Sequence, residues 1–265
     1  MSVQQTTAFA DGRLILTAGR IARIAINAPE RKNALTAAMW AALPGICARI
    51  SADEGIRVVV LAASGGRAFS AGADIGEFAE VYATPEAAAR YNAAVRAAQA
   101  ALRSLDRPVI AEVGGACVGG GCGLALSCDL RFAGASARFG ITPARLGIAY
   151  SWDDTAALVE KVGPGRAKDL LFSARLIGAD EALRIGLVER VTPDAELSAA
   201  VLAYAGELAE LSPASIRAAK AIVNRIAETD PQGREAVRAI WEAGFSGEDF
   251  REGRAAFLEA RAPKF

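Results

Sequence analysis

The sequence predicts an α/β chain that ends in helices, and three features carry that prediction. Apolar or alternating runs rich in β-branched residues occur at 14–17, 21–27, 58–62, 109–113 and 187–191, as strands with one or both faces buried require. Ala-rich stretches with apolar residues at helical spacing lie between them. After Leu197 the strand signals stop, and helical patterns follow at 198–211, 213–227 and 235–257, the last interrupted near 244–247. The expected organisation is an α/β core over 1–197 and a helical region over 198–265.

Taken in order, Thr36 caps a helix that runs through Ile50. Pro44 falls inside it, and an interior proline costs about 3 kcal/mol, so a break is expected near Leu43. Thr84-Pro85-Glu86 reads as an N-cap followed by proline at the first helical position, opening a helix to about Leu105 that stops before Arg107-Pro108. Gly186 closes a short helix begun near Asp180, and residues 229–233 form a turn within the helical tail. No internal repeat, low-complexity tract or heptad pattern is present.

Composition narrows the function. With 265 residues and 52% hydrophobic side chains the chain can bury one substantial core. Lys plus Arg and Asp plus Glu are each 30, and no long basic run exists, which weighs against a nucleic-acid partner. Residues 1–13 have neither the basic nor the apolar part of a secretory leader, and no run reaches about 18 apolar residues. Cys47, Cys117, Cys122 and Cys128 form no Cys-x-x-Cys pair and three lie in or beside an apolar Gly-rich stretch, the pattern of reduced, buried thiols. A cytoplasmic protein without a membrane partner is expected. Histidine is absent, which removes the commonest general base, the usual nucleophile triads and most zinc sites; no metal site is expected.

Two segments carry candidate chemistry. Residues 67–75, Arg-Ala-Phe-Ser-Ala-Gly-Ala-Asp-Ile, follow a strand-like run and are small enough for backbone N–H groups to approach a ligand. The alternative is a tight strand-to-helix connection capped by Asp74. Residues 107–123 pass from a strand through Gly114-Gly115 and Gly119-Gly120-Gly121 into an apolar helix, leaving free N–H groups at its start; close helix–strand packing would use the same glycines. No Gly-x-Gly-x-x-Gly can be placed there, and no Gly-Lys-Ser/Thr loop exists.

Phe-Ser-Ala-Gly-Ala-Asp-Ile at 69–75, Pro-Val-Ile-Ala at 108–111 and Gly-Gly-Gly-Cys at 119–122 stand in the order and separation of the enoyl-CoA hydratase/isomerase (crotonase) family. Arg31-Lys32-Asn33-Ala34-Leu35, Phe139-Gly140, Leu146-Gly147, the 182–188 segment and the 252–259 segment also resemble it. The resemblance implies a right-handed spiral of β-β-α turns, a C-terminal helical region that packs in trimers or hexamers, and an acyl-CoA substrate of fatty-acid metabolism. Coenzyme A then arrives with the substrate and no permanently bound cofactor is expected. Carried over by position, the oxyanion hole maps to the N–H groups of Ala73 and Gly120. Contacts to coenzyme A and substrate map to Ala71, Asp74, Ile75, Gly119 and Pro143, with Arg31 or Lys32 near its phosphates.

The two glutamates of family hydratases correspond to Gly123 and Pro143, which cannot ionise, and a third acid position reads Ser151. The segment 139–150 is instead similar to the methylmalonyl-CoA decarboxylase branch, through Thr142-Pro143 and Leu146-Gly147-x-x-Tyr150. Loss of carbon dioxide from a malonyl-type thioester forms an enolate without a base, so a decarboxylase-like lyase is the expectation, with Tyr150 and Thr142 orienting the carboxylate. Tyr150 could equally pack against the acyl pocket, with Thr142 turning the chain before proline. The alternatives are a hydratase or isomerase with a displaced carboxylate, and a non-catalytic acyl-CoA or RNA binder. Glu77, Glu80 and Glu112 are candidates for such an acid; Asp153-Asp154-Thr155 reads first as a helix cap.

Overall fold

The computed structural model describes residues 5–227 together with 248, 249, 252, 255, 256, 259, 261 and 264. The turn at 229–233 and the interruption near 244–247 lie outside the described residues, as does most of the helical pattern at 235–257.

Strands β1 (Gln5–Phe9), β2 (Leu14–Ala18), β3 (Ile21–Ile26), β4 (Val58–Ala63), β6 (Val109–Val113), β8 (Leu130–Gly134) and β11 (Arg190–Thr192) form a seven-stranded sheet in the order β1-β2-β3-β4-β6-β8-β11. β1 to β3 are antiparallel and the pairs from β3 onward are parallel. A smaller sheet has the order β10-β9-β7-β5, formed by β5 (Ala68–Ser70), β7 (Ala116–Val118), β9 (Arg138–Gly140) and β10 (Leu176–Gly178). The pairs β4–β5, β6–β7 and β8–β9 each send a first strand to the large sheet and a second to the small one. Helices follow each pair: α2 (Phe78–Val81) and α3 (Pro85–Arg103), then α4 (Gly120–Leu126), then α5 (Trp152–Ser173). These are the successive β-β-α turns of the expected architecture. α6 (Ala179–Arg184) precedes β11, and α7 (Leu197–Ala209) and α8 (Pro213–Ala227) come after it.

Side chains alternate across a strand, and β4 shows what that achieves here. Val59 and Leu61 enter the main core with α1 (Ala37–Ala52) and α3, while Val58, Val60 and Ala62 pack on the opposite face with Val201, Ala205 and Ala209 of α7. Both faces of the central strands are therefore covered, which explains their unbroken apolar runs.

The helix starting at Thr36 is present, its hydroxyl accepting from the Met39 N–H at 3.3 Å, but it does not break near Leu43. Met39, Trp40 and Leu43 before Pro44 and Ile46, Cys47 and Ile50 after it are all buried in one core. Packing on both sides outweighs the missing N–H of the proline. The strand expected at 187–191 is displaced to 190–192, because the chain reverses at Gly186 (φ +81°) and Leu187 donates to the Ala182 carbonyl at 2.8 Å. The four cysteines are buried and unpaired, and burial pushes the Cys47 thiol up to about 11. No described helix is long and apolar enough to cross a membrane.

Arg131, on β8, is 1% exposed and holds the end of α4 in place. Its guanidinium donates to the Cys128 carbonyl at 2.8 Å and the Leu187 carbonyl at 2.9 Å, and also pairs with the Glu189 carboxylate. Glu189 in turn accepts from the Arg131 backbone N–H at 2.6 Å. Arg131→Leu should destabilise the fold by about 3–5 kcal/mol in urea unfolding, because several buried acceptors lose their donor. Glu189→Gln should cost clearly less, since Glu189 is 31% exposed and water can replace it.

Candidate active site

β5 and β7 are neighbours, with Ala68 opposite Ala116 and Ser70 opposite Cys117, so the segments leaving them run side by side. On the first, Leu35 forms a parallel bridge to Ala73: the Leu35 N–H donates to the Gly72 carbonyl at 2.7 Å, and the Asp74 N–H to the Leu35 carbonyl at 2.9 Å. In a parallel bridge those bonds bracket the central residue, so the N–H of Ala73 itself points away unused. On the second, Gly120 is the first residue of α4, where an N–H has no partner within the helix. Neither N–H has a hydrogen-bond partner among the described residues.

The two donors are close. A Cβ built on Gly120 would stand 3.4 Å from the Ala73 nitrogen, and one on Gly72 would stand 3.1 Å from the Gly120 nitrogen and 2.8 Å from the Val118 carbonyl oxygen. Gly72, at φ +97°, is therefore a glycine for both conformation and approach. The structure thus brings the sequence-predicted pair together, two backbone N–H groups side by side.

Tyr150 donates its hydroxyl to the Gly119 carbonyl at 3.0 Å, and the Gly123 N–H reaches the same oxygen at 3.1 Å. Burial, with Asp154 adding to it, holds the Tyr150 phenol well above its usual pKa, so it remains a donor. Its hydroxyl proton is directed to the Gly119 carbonyl. Thr142 is half-buried, its hydroxyl 4.0 Å from where a Gly119 Cβ would be, and Pro143 opens a 3-10 turn. Arg31 forms an ion pair with buried Asp74 at 2.9 Å, and Asp74 also accepts from the Gly76 N–H at 3.0 Å. Asp74 thus serves as a cap, and Lys32 is the exposed cation beside it. Ala71 is exposed, and Ile75 is 62% exposed.

A model of the family described as enoyl-CoA hydratase/isomerase matches residues 17–265. The chain belongs to the enoyl-CoA hydratase/isomerase family. It is 34% identical to a crotonyl-CoA hydratase of Syntrophomonas wolfei, covering 93% of this chain and 94% of the relative. It is 35% identical to a short-chain-enoyl-CoA hydratase of Clostridium acetobutylicum, covering 92% and 93%. Among solved structures, an enoyl-CoA hydratase/isomerase family protein from Hyphomonas neptunium superposes with a TM-score of 0.92 at 40% identity, covering 96% of this chain and 97% of that one. An enoyl-CoA hydratase from Bacillus anthracis gives 0.90 at 33%, covering 96% and 98%.

A buried carboxylate that the sequence reads as part of a helix cap lies beside α4, against Gly123. The cap of α5 is Ser151, whose hydroxyl accepts from the Asp154 N–H at 3.0 Å; Asp153 and Asp154 follow in the first turn. Asp154 is 6% exposed, and its Oδ2 accepts from the Ser151 hydroxyl at 2.7 Å and its Oδ1 from Gln99 Nε2 at 2.8 Å. A Cβ on Gly123 would lie 2.3 Å from Asp154 Oδ1 and 2.6 Å from Gln99 Nε2. The Asp154 carboxylate therefore fills the space a side chain at 123 would need. Among the other acids considered, Glu77 accepts from the Ala37 N–H at 2.7 Å, Glu112 is paired with Arg23 at 2.8 Å, and Glu80 is exposed. Gln99 carried no signal in the sequence, since its partner lies 55 residues away.

Gly123→Ala should cost about 1–3 kcal/mol in urea unfolding through overpacking, and most of that cost should vanish in an Asp154→Ala background. Additive costs would mean the two positions do not touch.

Proposed function

We propose that this chain binds an acyl-CoA thioester and moves a proton at its α-carbon through an enolate whose oxygen lies between the N–H groups of Ala73 and Gly120. The observation that carries this is the adjacency of two backbone donors left unbonded by the surrounding structure. A donor aimed at developing charge in a water-excluded site contributes roughly 3–4 kcal/mol to the transition state, and two together favour enolate formation over simple binding. Coenzyme A comes with the substrate: Lys32 offers charge to its phosphates, and the backbone around Ala71, Asp74 and Ile75 offers contacts to the rest. The hydratase names of the full-length relatives support this class.

Decarboxylation of a malonyl-type thioester is the second reading, favoured by the lack of ionisable groups at Gly123 and Pro143. Two features weigh against it. The buried Asp154 carboxylate would repel a second negative charge in the acyl group, and the Tyr150 hydroxyl already serves Gly119.

Purified protein incubated with crotonoyl-CoA, 3-hexenoyl-CoA and methylmalonyl-CoA should convert one of the enoyl thioesters and leave methylmalonyl-CoA intact. Mass spectrometry reads water gain and carbon dioxide loss, and absorbance of the conjugated thioester reads isomerisation. Carbon dioxide loss would establish the second reading, and binding without any turnover would make the chain an acyl-CoA binder. Tyr150→Phe should lower kcat about 2- to 10-fold with KM nearly unchanged, the effect of losing one neutral hydrogen bond behind a transition-state donor.

A further inference from the structure

We infer that Asp154 is the acid–base group of this site, and that it takes the α-proton of a β,γ-unsaturated acyl-CoA and returns it to the γ-carbon. The chemistry is then migration of a double bond, not addition of water. The inference rests on the enolate reading above.

Position is the first argument. Gly120 and Gly123 are three residues apart on α4 and so lie on neighbouring turns of one face. Asp154 Oδ1 occupies the side-chain space of Gly123, which places the carboxylate one helical turn from the Gly120 N–H that holds the enolate oxygen. The second argument is orientation. Gln99 and Ser151 donate to one carboxylate oxygen each, fixing the group while each oxygen keeps a lone pair for a proton. The third is number. Of the described carboxylates on the segments that build the site, Asp74 is paired with Arg31, Glu77 is bonded to the Ala37 N–H, and Glu80 is exposed. Asp153 is only half-buried beside Asp154. Hydration uses one group to activate water and another to protonate the α-carbon, whereas a single buried carboxylate suits a proton that leaves one carbon and returns to another. Burial also holds the Asp154 carboxyl above its ordinary range, a direction that makes it a stronger base.

The step balances without a cofactor. Asp154 removes a proton from C2, the C–H electron pair forms the C1–C2 double bond, and the charge moves to the thioester oxygen between Ala73 and Gly120. When the thioester carbonyl re-forms, the C1–C2 π pair becomes the C2–C3 double bond and the C3–C4 π pair takes the proton at C4 from the Asp154 carboxylic acid, which returns to the carboxylate.

The test uses the full-length protein with 3-hexenoyl-CoA, following the conjugated product by absorbance, and measures butyryl-CoA binding by calorimetry alongside. Asp154→Asn keeps the shape and should lower the isomerisation rate by at least about 100-fold while butyryl-CoA binding and thermal unfolding stay near those of the parent. Asp154→Ser is assayed in parallel, so that a folding defect in one variant leaves the other to decide. Isomerisation at the parental rate in a folded variant would overturn the role of Asp154 alone. Hydration of crotonoyl-CoA by the parent, with no isomerisation, would overturn the reaction assigned to it. Failure of the parent to bind butyryl-CoA would overturn the underlying enolate reading together with this one.

Discussion

A backbone N–H left without a carbonyl partner raises the free energy of a folded chain unless water or a ligand accepts from it, so two such groups side by side need their surroundings to hold them open. At Ala73 the hold is the bridge from Leu35, which bonds the residues before and after it. At Gly120 the chain leaves β7 with its Gly119 N–H bonded to the Gly140 carbonyl at 2.8 Å and enters α4 with no bond of its own. The small sheet aligns these two exits, and Arg131 fixes the far end of α4 through the Cys128 carbonyl. Strand pairing, helix packing and a buried guanidinium thus converge on one pair of backbone donors.

The Gly119 carbonyl and the Gly120 N–H belong to the same peptide unit. Hydrogen bonds from Tyr150 and from the Gly123 N–H to that carbonyl draw electron density toward oxygen and strengthen the N–H on the other side. Tyr150 is therefore best seen as a positioning residue acting through the peptide. Asp154 raises the opposite problem, because a buried carboxylate is unfavourable unless its surroundings accept the charge. It stands in the first turn of the long helix α5, where the helix dipole favours negative charge. Donors from Ser151 and Gln99 and the more distant charge of Arg103 pull its pKa down against the larger effect of burial. The net direction is upward, toward a stronger base.

Much of this was legible in the sequence where the signal is local or strongly periodic. The strands β2, β3, β4 and β6 and the capped starts of α1 and α3 were found because apolar runs and Thr-initiated helices announce themselves. The three-residue strands β5, β7, β9 and β10 were not, because so short a segment has no periodicity to read. β1, mostly exposed at a sheet edge, gave none either. Pro44 was misjudged because helix propensity is weaker than the burial on either side of it. Ala73 and Gly120 came from the family resemblance, and their physical fitness as donors only from the bridge and the helix start. The role of Asp154 was hidden because Asp153-Asp154-Thr155 reads as an ordinary helix cap until Gly123 and Gln99 are seen against it.

The contact between Asp154 and Gly123 also explains why this site reads as empty from its sequence. A Cβ at 123 and Oδ1 of Asp154 would be 2.3 Å apart, closer than two such atoms can approach. The space beside α4 can thus receive a carboxylate from the helix itself or from α5, but not from both without rearrangement. Glycine at 123 is then a condition for aspartate at 154, and its inability to ionise says nothing about whether the site holds an acid. Had the same group been placed on α4, its motion would be tied to the helix that carries the Gly120 donor. On α5 it is instead anchored by Ser151 and Gln99, so the proton-moving group and the charge-holding group are set by separate elements that meet at one glycine.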